Sequence, residues 1–288
     1  MHRLPSAALR VCLLSLLSLL GAACATPRST PLDILERRVQ HLEQLILERE
    51  EALRFLDQAY EAKLDADARP KPGTVYGVDI QPNLALGQAI GSPAAPVTIV
   101  EGFDFACPYC YRSSVVLEEI LREYQGKVRL VPKHLVVHPQ QVMMAHVIAC
   151  AAAKQGKFAE FFHAFWTDAY KPYEDQHDPA LLGQDNALKI AGRVGLDLER
   201  VQADVIACQR VIDADQAELR KFRVDGTPAF FINGEFVAGG LSKEGFQQII
   251  ERKLAIAQQS GVPGAEYYDK EIRGKGEQAV RRPDRPRN

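Results

Sequence analysis

The chain has 288 residues, 47% hydrophobic and 25% charged, an ordinary globular composition that supports one or two domains with a sizeable core. Its formal net charge of −2 argues against nucleic acid as a partner.

Residues 1–23 read as an export signal: His2, Arg3 and Arg10 form a basic start, 11–20 an apolar core, and Gly21, Ala22 and Ala23 precede Cys24. The core is too short to span a membrane, which takes about 20 apolar residues. Two readings of its end stay open. Small residues before a cysteine resemble a bacterial lipobox, in which Cys24 is lipidated and anchors the chain, although Leu20 stands one place early; Ala23-Cys24-Ala25 equally fits ordinary secretion. Both place the chain outside the cytoplasm, on the periplasmic side of a bacterial membrane, where disulfides persist.

Residues 24–31 form a tether and 32–68 a long amphipathic helix. Leu32, Val39, Ile46, Leu53 and Tyr60 fall at heptad position a, and Leu35, Leu42 and Leu56 at d, with Arg49 interrupting the d row. This spacing fits a coiled-coil homodimer through residues 32–63, and fits as well a helix folded back on its own domain. Arg69, Pro70, Lys71, Pro72 and Gly73 end it. Within 74–96, residues 75–78 suit an edge strand and 91–96 a loop.

Residues 97–106 are a run of β-branched and aromatic side chains typical of a buried strand. Cys107-Pro108-Tyr109-Cys110 follows at once and opens a segment with helical apolar spacing: Val115, Val116, Leu117, Ile120, Leu121 and Tyr124. Cys107 therefore heads a helix, where unpaired amides and the helix dipole stabilise a thiolate, and Pro108 occupies the first helical position. Cys110, one turn on, is placed to resolve. A C-x-x-C can be half a zinc site, an inert disulfide or a redox-active pair. No second C-x-x-C accompanies it, and strand-to-helix context is what the redox pair requires, so no metal or cofactor is expected.

Residues 127–131 suit a strand parallel to the first. Residues 139–222 are helical by pattern, near 140–154, 157–169, 185–195, 198–208 and 210–222, and they carry Cys150 and Cys208. In an oxidising compartment these two can form a structural disulfide or remain buried thiols. Two short strands joined at Asn233-Gly234 then precede a closing helix. The order β-α-β, helices, β-β-α gives an α/β chain with a thioredoxin fold over 74–258, an inserted helical domain at 139–222 and the long helix in front. Residues 261–288 read as a polar, basic, solvated tail.

Cys107-Pro108-Tyr109-Cys110, Val131-Pro132-Lys133-His134, His138-Pro139 and the run Gly226-Thr227-Pro228-Ala229-Phe230-Phe231-Ile232-Asn233-Gly234 together resemble the DsbA-like thiol:disulfide oxidoreductases, and the N-terminal extension resembles the stalks of Scs-type and disulfide isomerase relatives. The resemblance implies that Pro228 is a cis-proline facing the cysteines, with Thr227 pairing with substrate backbone. It also implies that Glu101 is a buried acid shuttling the proton of Cys110, paired with Lys133. Tyr109 replaces the His of a C-P-H-C. Losing that donor makes the couple less oxidising, nearer the roughly −200 to −230 mV of glutaredoxins than about −120 mV. Three functions follow: oxidant or isomerase of exported proteins carrying thiols or disulfides, served by a membrane redox partner; reductant of one dedicated partner; or a docking lipoprotein without catalysis.

Overall fold

A computed structural model describes residues 30–283; residues 1–23, read as an export signal, and Cys24 lie outside them. The chain divides into two compact units, Met1–Glu61 and Ala62–Asn288.

In the first, α1 (Pro31–Glu48) starts from a capping box: Asp33 N donates to Thr30 Oγ1 at 3.1 Å while Thr30 N donates to Asp33 Oδ2 at 2.7 Å. The helix read as continuous over 32–68 is broken once. Arg49, the residue that interrupts the heptad, donates its amide to Ile46 O at 3.1 Å, a tighter bond that closes α1 before α2 (Glu50–Asp67) begins. No residue of α1 is buried, and Leu32, Leu35, Val39, Leu42, Ile46, Leu53 and Leu56 are 46–63% exposed.

The second unit is built on a five-stranded sheet. Its strands are β1 (Ile90–Gly91), β2 (Val97–Phe103), β3 (Val128–His134), β4 (Ala229–Ile232) and β5 (Glu235–Ala238), in the order β1-β3-β2-β4-β5. Only β2 and β3 run parallel, joined by the crossover helix α4 (Pro108–Glu123); the other pairs are antiparallel. All seven residues of both β2 and β3 are buried, as a central parallel pair covered on both faces requires. β3 continues past Pro132, where the sequence pattern stopped, because β1 pairs only with Arg129 and Leu130. Beyond them β3 has one free side, so a residue without an N–H is tolerated there. The β4–β5 turn uses Asn233 and Gly234 at φ 42° and 78°. A side chain on Gly234 would meet Val75 and the Tyr76 backbone.

Side chains alternate between the two faces. Val97, Ile99, Phe230 and Ile232 pack with Leu117 and Ile120 of α4 and with Phe246 and Ile250 of α10 (Lys243–Ser260). Val100, Val131 and Phe231 pack with Tyr76, Leu219 and Phe222. Before β1 lies α3 (Gln81–Leu86). The helical insertion comprises α5 (Pro139–Lys154), α6 (Phe158–Phe165), a π-helical turn at Trp166–Tyr170, α7 (Lys171–Gln176), α8 (Gln184–Arg193) and α9 (Leu198–Lys221). The sequence pattern divides α9 near residue 209, but neither Gly nor Pro interrupts it and the helix is continuous. Asp197 caps it by accepting from Glu199 N and Arg200 N. Cys150 of α5 and Cys208 of α9 are joined by a disulfide, Cα atoms 5.6 Å apart.

The expectation of a solvated tail from residue 261 is corrected. Tyr267 of α11 (Gly264–Tyr267), with Tyr268 and Ile272 of the π-helical turn after it, is buried against the same face as Tyr76 and Val100. Tyr268 Oη donates to Val78 O at 3.0 Å and Val280 N to Lys221 O at 2.8 Å. Average polarity along the tail hid three apolar residues on one face.

Candidate active site

β2 ends at Phe103, and the chain turns through Asp104 into α4. The Asp104 carboxylate is buried and fully used: Oδ1 accepts from Ala106 N at 2.7 Å, Oδ2 from Val137 N at 2.6 Å and His138 N at 2.9 Å. It ties the turn to the segment leading into α5. Cys107 N donates to Asp104 O at 3.1 Å, closing the turn, and Cys107 becomes the N-cap of α4 with Pro108 next. The Cys107 thiol lies 3.3 Å from Thr227 O, and the Thr227–Pro228 peptide bond is cis. Cys107, Cys110, Thr227 and Pro228 thus come together from α4 and the loop before β4.

The two thiols are unequal. Cys107 is lowered to about 6, chiefly by a hydrogen bond from the Cys110 thiol; burial opposes this, and the Thr227 hydroxyl and the amides of Cys110 and Tyr109 add to the lowering. Cys110 is pushed well above the ordinary thiol range, first by burial and then by donating to Cys107 and by the negative charge of Glu101 and Cys107. Glu101 is buried in β2 with neither carboxylate oxygen hydrogen-bonded among the described residues. Burial, then the Cys107 charge, raises it to about 8. Such a carboxyl changes protonation near neutral pH, close to a thiol that must lose a proton to react. Tyr109 is 58% exposed, with the Arg112 guanidinium carbon 5.4 Å from its ring centroid.

Lys133 does not pair with Glu101. In the parallel register Glu101 faces Pro132 and Gly102 faces Lys133, so the Glu101 and Lys133 side chains project from opposite faces of the sheet. Lys133 Nζ instead donates to Asp215 Oδ1 of α9 at 2.7 Å and to Asn83 Oδ1 of α3 at 2.6 Å. This buried network joins β3 to two helices and leaves Glu101 alone. Asp104, Asp215 and the buried His146 have no role assigned from the sequence, and the equally buried His134 enters there only as a member of the Val131–His134 motif. Only Asp104 had a local signal, as the one acid between the strand and Cys107.

A thioredoxin family model matches residues 86–252, and the chain belongs to the thioredoxin family. It is 37% identical over 174 residues to the Na(+)/H(+) antiporter NhaA 3 of Salinispora tropica, covering 58% of this chain and 24% of that one. The chain spans about a quarter of the length of the curated relatives it matches. Among the described residues no helix is long and apolar enough to cross a membrane. A thioredoxin-like oxidoreductase from Silicibacter pomeroyi is 30% identical, with TM-score 0.50 over 57% of this chain and 90% of that one. BdbD from Bacillus subtilis shares the fold at 18% identity, with TM-score 0.53 over 64% of this chain and all of that one.

Proposed function

We propose that the chain is an extracytoplasmic thiol:disulfide oxidoreductase acting on exported proteins through Cys107 and Cys110, by oxidation or isomerisation. The observation that carries this reading is the asymmetry of the pair: Cys107 heads α4 as the more acidic thiol beside Thr227 O, and Cys110 is buried behind it with its proton retained. In the reducing direction the Cys107 thiolate attacks one sulfur of a substrate disulfide, forming a mixed disulfide and releasing the other sulfur as a thiolate that takes a proton from water. Cys110 then gives its proton to Glu101 and attacks Cys107 Sγ. The second substrate sulfur leaves with the electron pair, so the substrate gains two electrons and the enzyme cysteines lose two. Oxidation is the reverse, from a Cys107–Cys110 disulfide; in isomerisation another substrate thiolate attacks the mixed disulfide, forms the rearranged substrate disulfide and displaces Cys107 as a thiolate, with no net electron transfer. Thr227 and Pro228 offer backbone against which a substrate strand can lie.

Tyr109 supports the alternative of a dedicated reductant, since no His donor stands beside the Cys107 thiolate at that position. The reduction potential against glutathione, measured with insulin reduction, separates the directions. Trapping is the primary test. A Cys110→Ser chain should accumulate mixed disulfides through Cys107, and trapping by Cys107→Ser instead would reverse the assignment. We further propose export by residues 1–23, lipid anchoring through Cys24, and self-association through residues 32–63, whose apolar seam is exposed.

A further inference from the structure

Three amides shape the turn that presents Cys107, and two of their acceptors belong to Asp104. The third does not. Phe105 N donates to Nε2 of His146 at 3.3 Å, a side chain 41 residues along the chain in α5. His146 is fully buried, with Phe103 and Phe105 ring centroids 5.0 and 4.9 Å from its own. Its other ring nitrogen, Nδ1, lies 2.8 Å from Nδ1 of the equally buried His134.

These contacts fix one arrangement of protons. Nε2 of His146 accepts from an amide and therefore carries no hydrogen, so the neutral ring bears its proton on Nδ1. His134 Nδ1 must then accept, and His134 carries its own proton on Nε2, which meets no acceptor among the described residues. Neither ring can turn over without setting two donors against each other. His134 is itself held: its amide donates to Asp215 Oδ2 at 3.0 Å, on the carboxylate that also binds Lys133. An apolar residue at 146 would fill the same space but leave Phe105 N without its acceptor and His134 Nδ1 without its donor, so the ring does more than pack.

We propose that His146 is a positioning residue for disulfide exchange: by accepting from Phe105 N and donating to His134 it locks the turn from Asp104 to Cys107 onto the helical insertion, and so holds Cys107 Sγ at Thr227 and the first turn of α4. The proposal rests on the reading of Cys107 as the attacking thiol. Without that lock the turn keeps its own Asp104 bonds but can rock about them. Cys107 Sγ then spends less time at the donors that stabilise its thiolate.

The test is the pH titration of the Cys107 thiolate by its absorbance near 240 nm, together with the rate of exchange with oxidised glutathione, on the full chain. His146→Leu should move the midpoint upward and slow exchange at pH 6 by about tenfold, whereas His146→Gln, which supplies an amide acceptor and donor, should stay within about threefold of the unmodified chain. His134→Leu leaves His146 in place but frees its tautomer, and should shift the midpoint in the same direction. Adding His134→Leu to His146→Leu should shift the midpoint no further. A folded His146→Leu chain with unchanged midpoint and rate overturns the proposal, as do Leu and Gln variants that behave alike. Should His146→Leu fail to fold, an unmoved midpoint in His134→Leu overturns it equally. If the unmodified chain neither exchanges nor shows a low thiolate transition, the oxidoreductase reading falls and takes the positioning role with it; unaffected variants of an active chain remove the positioning role alone.

Discussion

Glu101 sets two opposed demands on the reduced protein. Its folded-state value of about 8 stands above the ordinary 4.5, so its carboxyl favours folding fully below pH 4.5 and progressively less as pH rises toward 8. At pH 7 the difference amounts to roughly 3 kcal/mol. Cys107 runs the other way: lowered from 9 to about 6, it contributes fully above pH 9 and loses its contribution as pH falls through 6. Glu101→Gln should therefore raise the stability of the reduced chain by about 3–5 kcal/mol at pH 8 and leave it unchanged at pH 4, while slowing the step in which Cys110 attacks. Urea unfolding at both pH values checks this, and equal gaps would remove the buried-acid role. Alkylation followed by mass spectrometry should modify Cys107 with a midpoint near pH 6 while Cys110 stays unmodified. The place of Cys107 at the head of a helix is a local property and could be read from the sequence. The partner of Lys133 could not, because it turns on which face of a sheet a residue points to, and that depends on a one-residue choice of register.

Between elements, Lys133, Asp215 and Asn83 connect β3, α9 and α3 without solvent. Lys133→Met would leave the Asp215 carboxylate buried without its cation, so a loss of about 3–5 kcal/mol is expected in denaturant titrations. The Cys150–Cys208 bridge closes a span of 58 residues across α5 and α9. Replacing both cysteines by Ala should cost about 2–4 kcal/mol, and thermal unfolding with and without reductant should show the same loss. The strand, helix and hairpin around the cysteines were legible because hydrophobic period and turn residues are short-range signals. The unbroken α9, the continuation of β3 through Pro132 and the packing of the tail were not, since each follows from what lies beside it in space.

On the scale of the whole chain, the exposed row from Leu32 to Leu56 is the feature that monomeric life in water explains least. Light scattering at micromolar concentration should find the full chain as an oligomer and a chain lacking residues 26–68 as a monomer. A monomeric full chain would remove the stalk. The buried tail bears on the order in which the chain comes into being. Tyr267, Tyr268 and Ile272 complete the core over Tyr76 and Val100, so strands made early stand half-covered until residues 267–272 have emerged from the ribosome. That face of the sheet closes only after Cys107, Cys110, Cys150 and Cys208 have all been made.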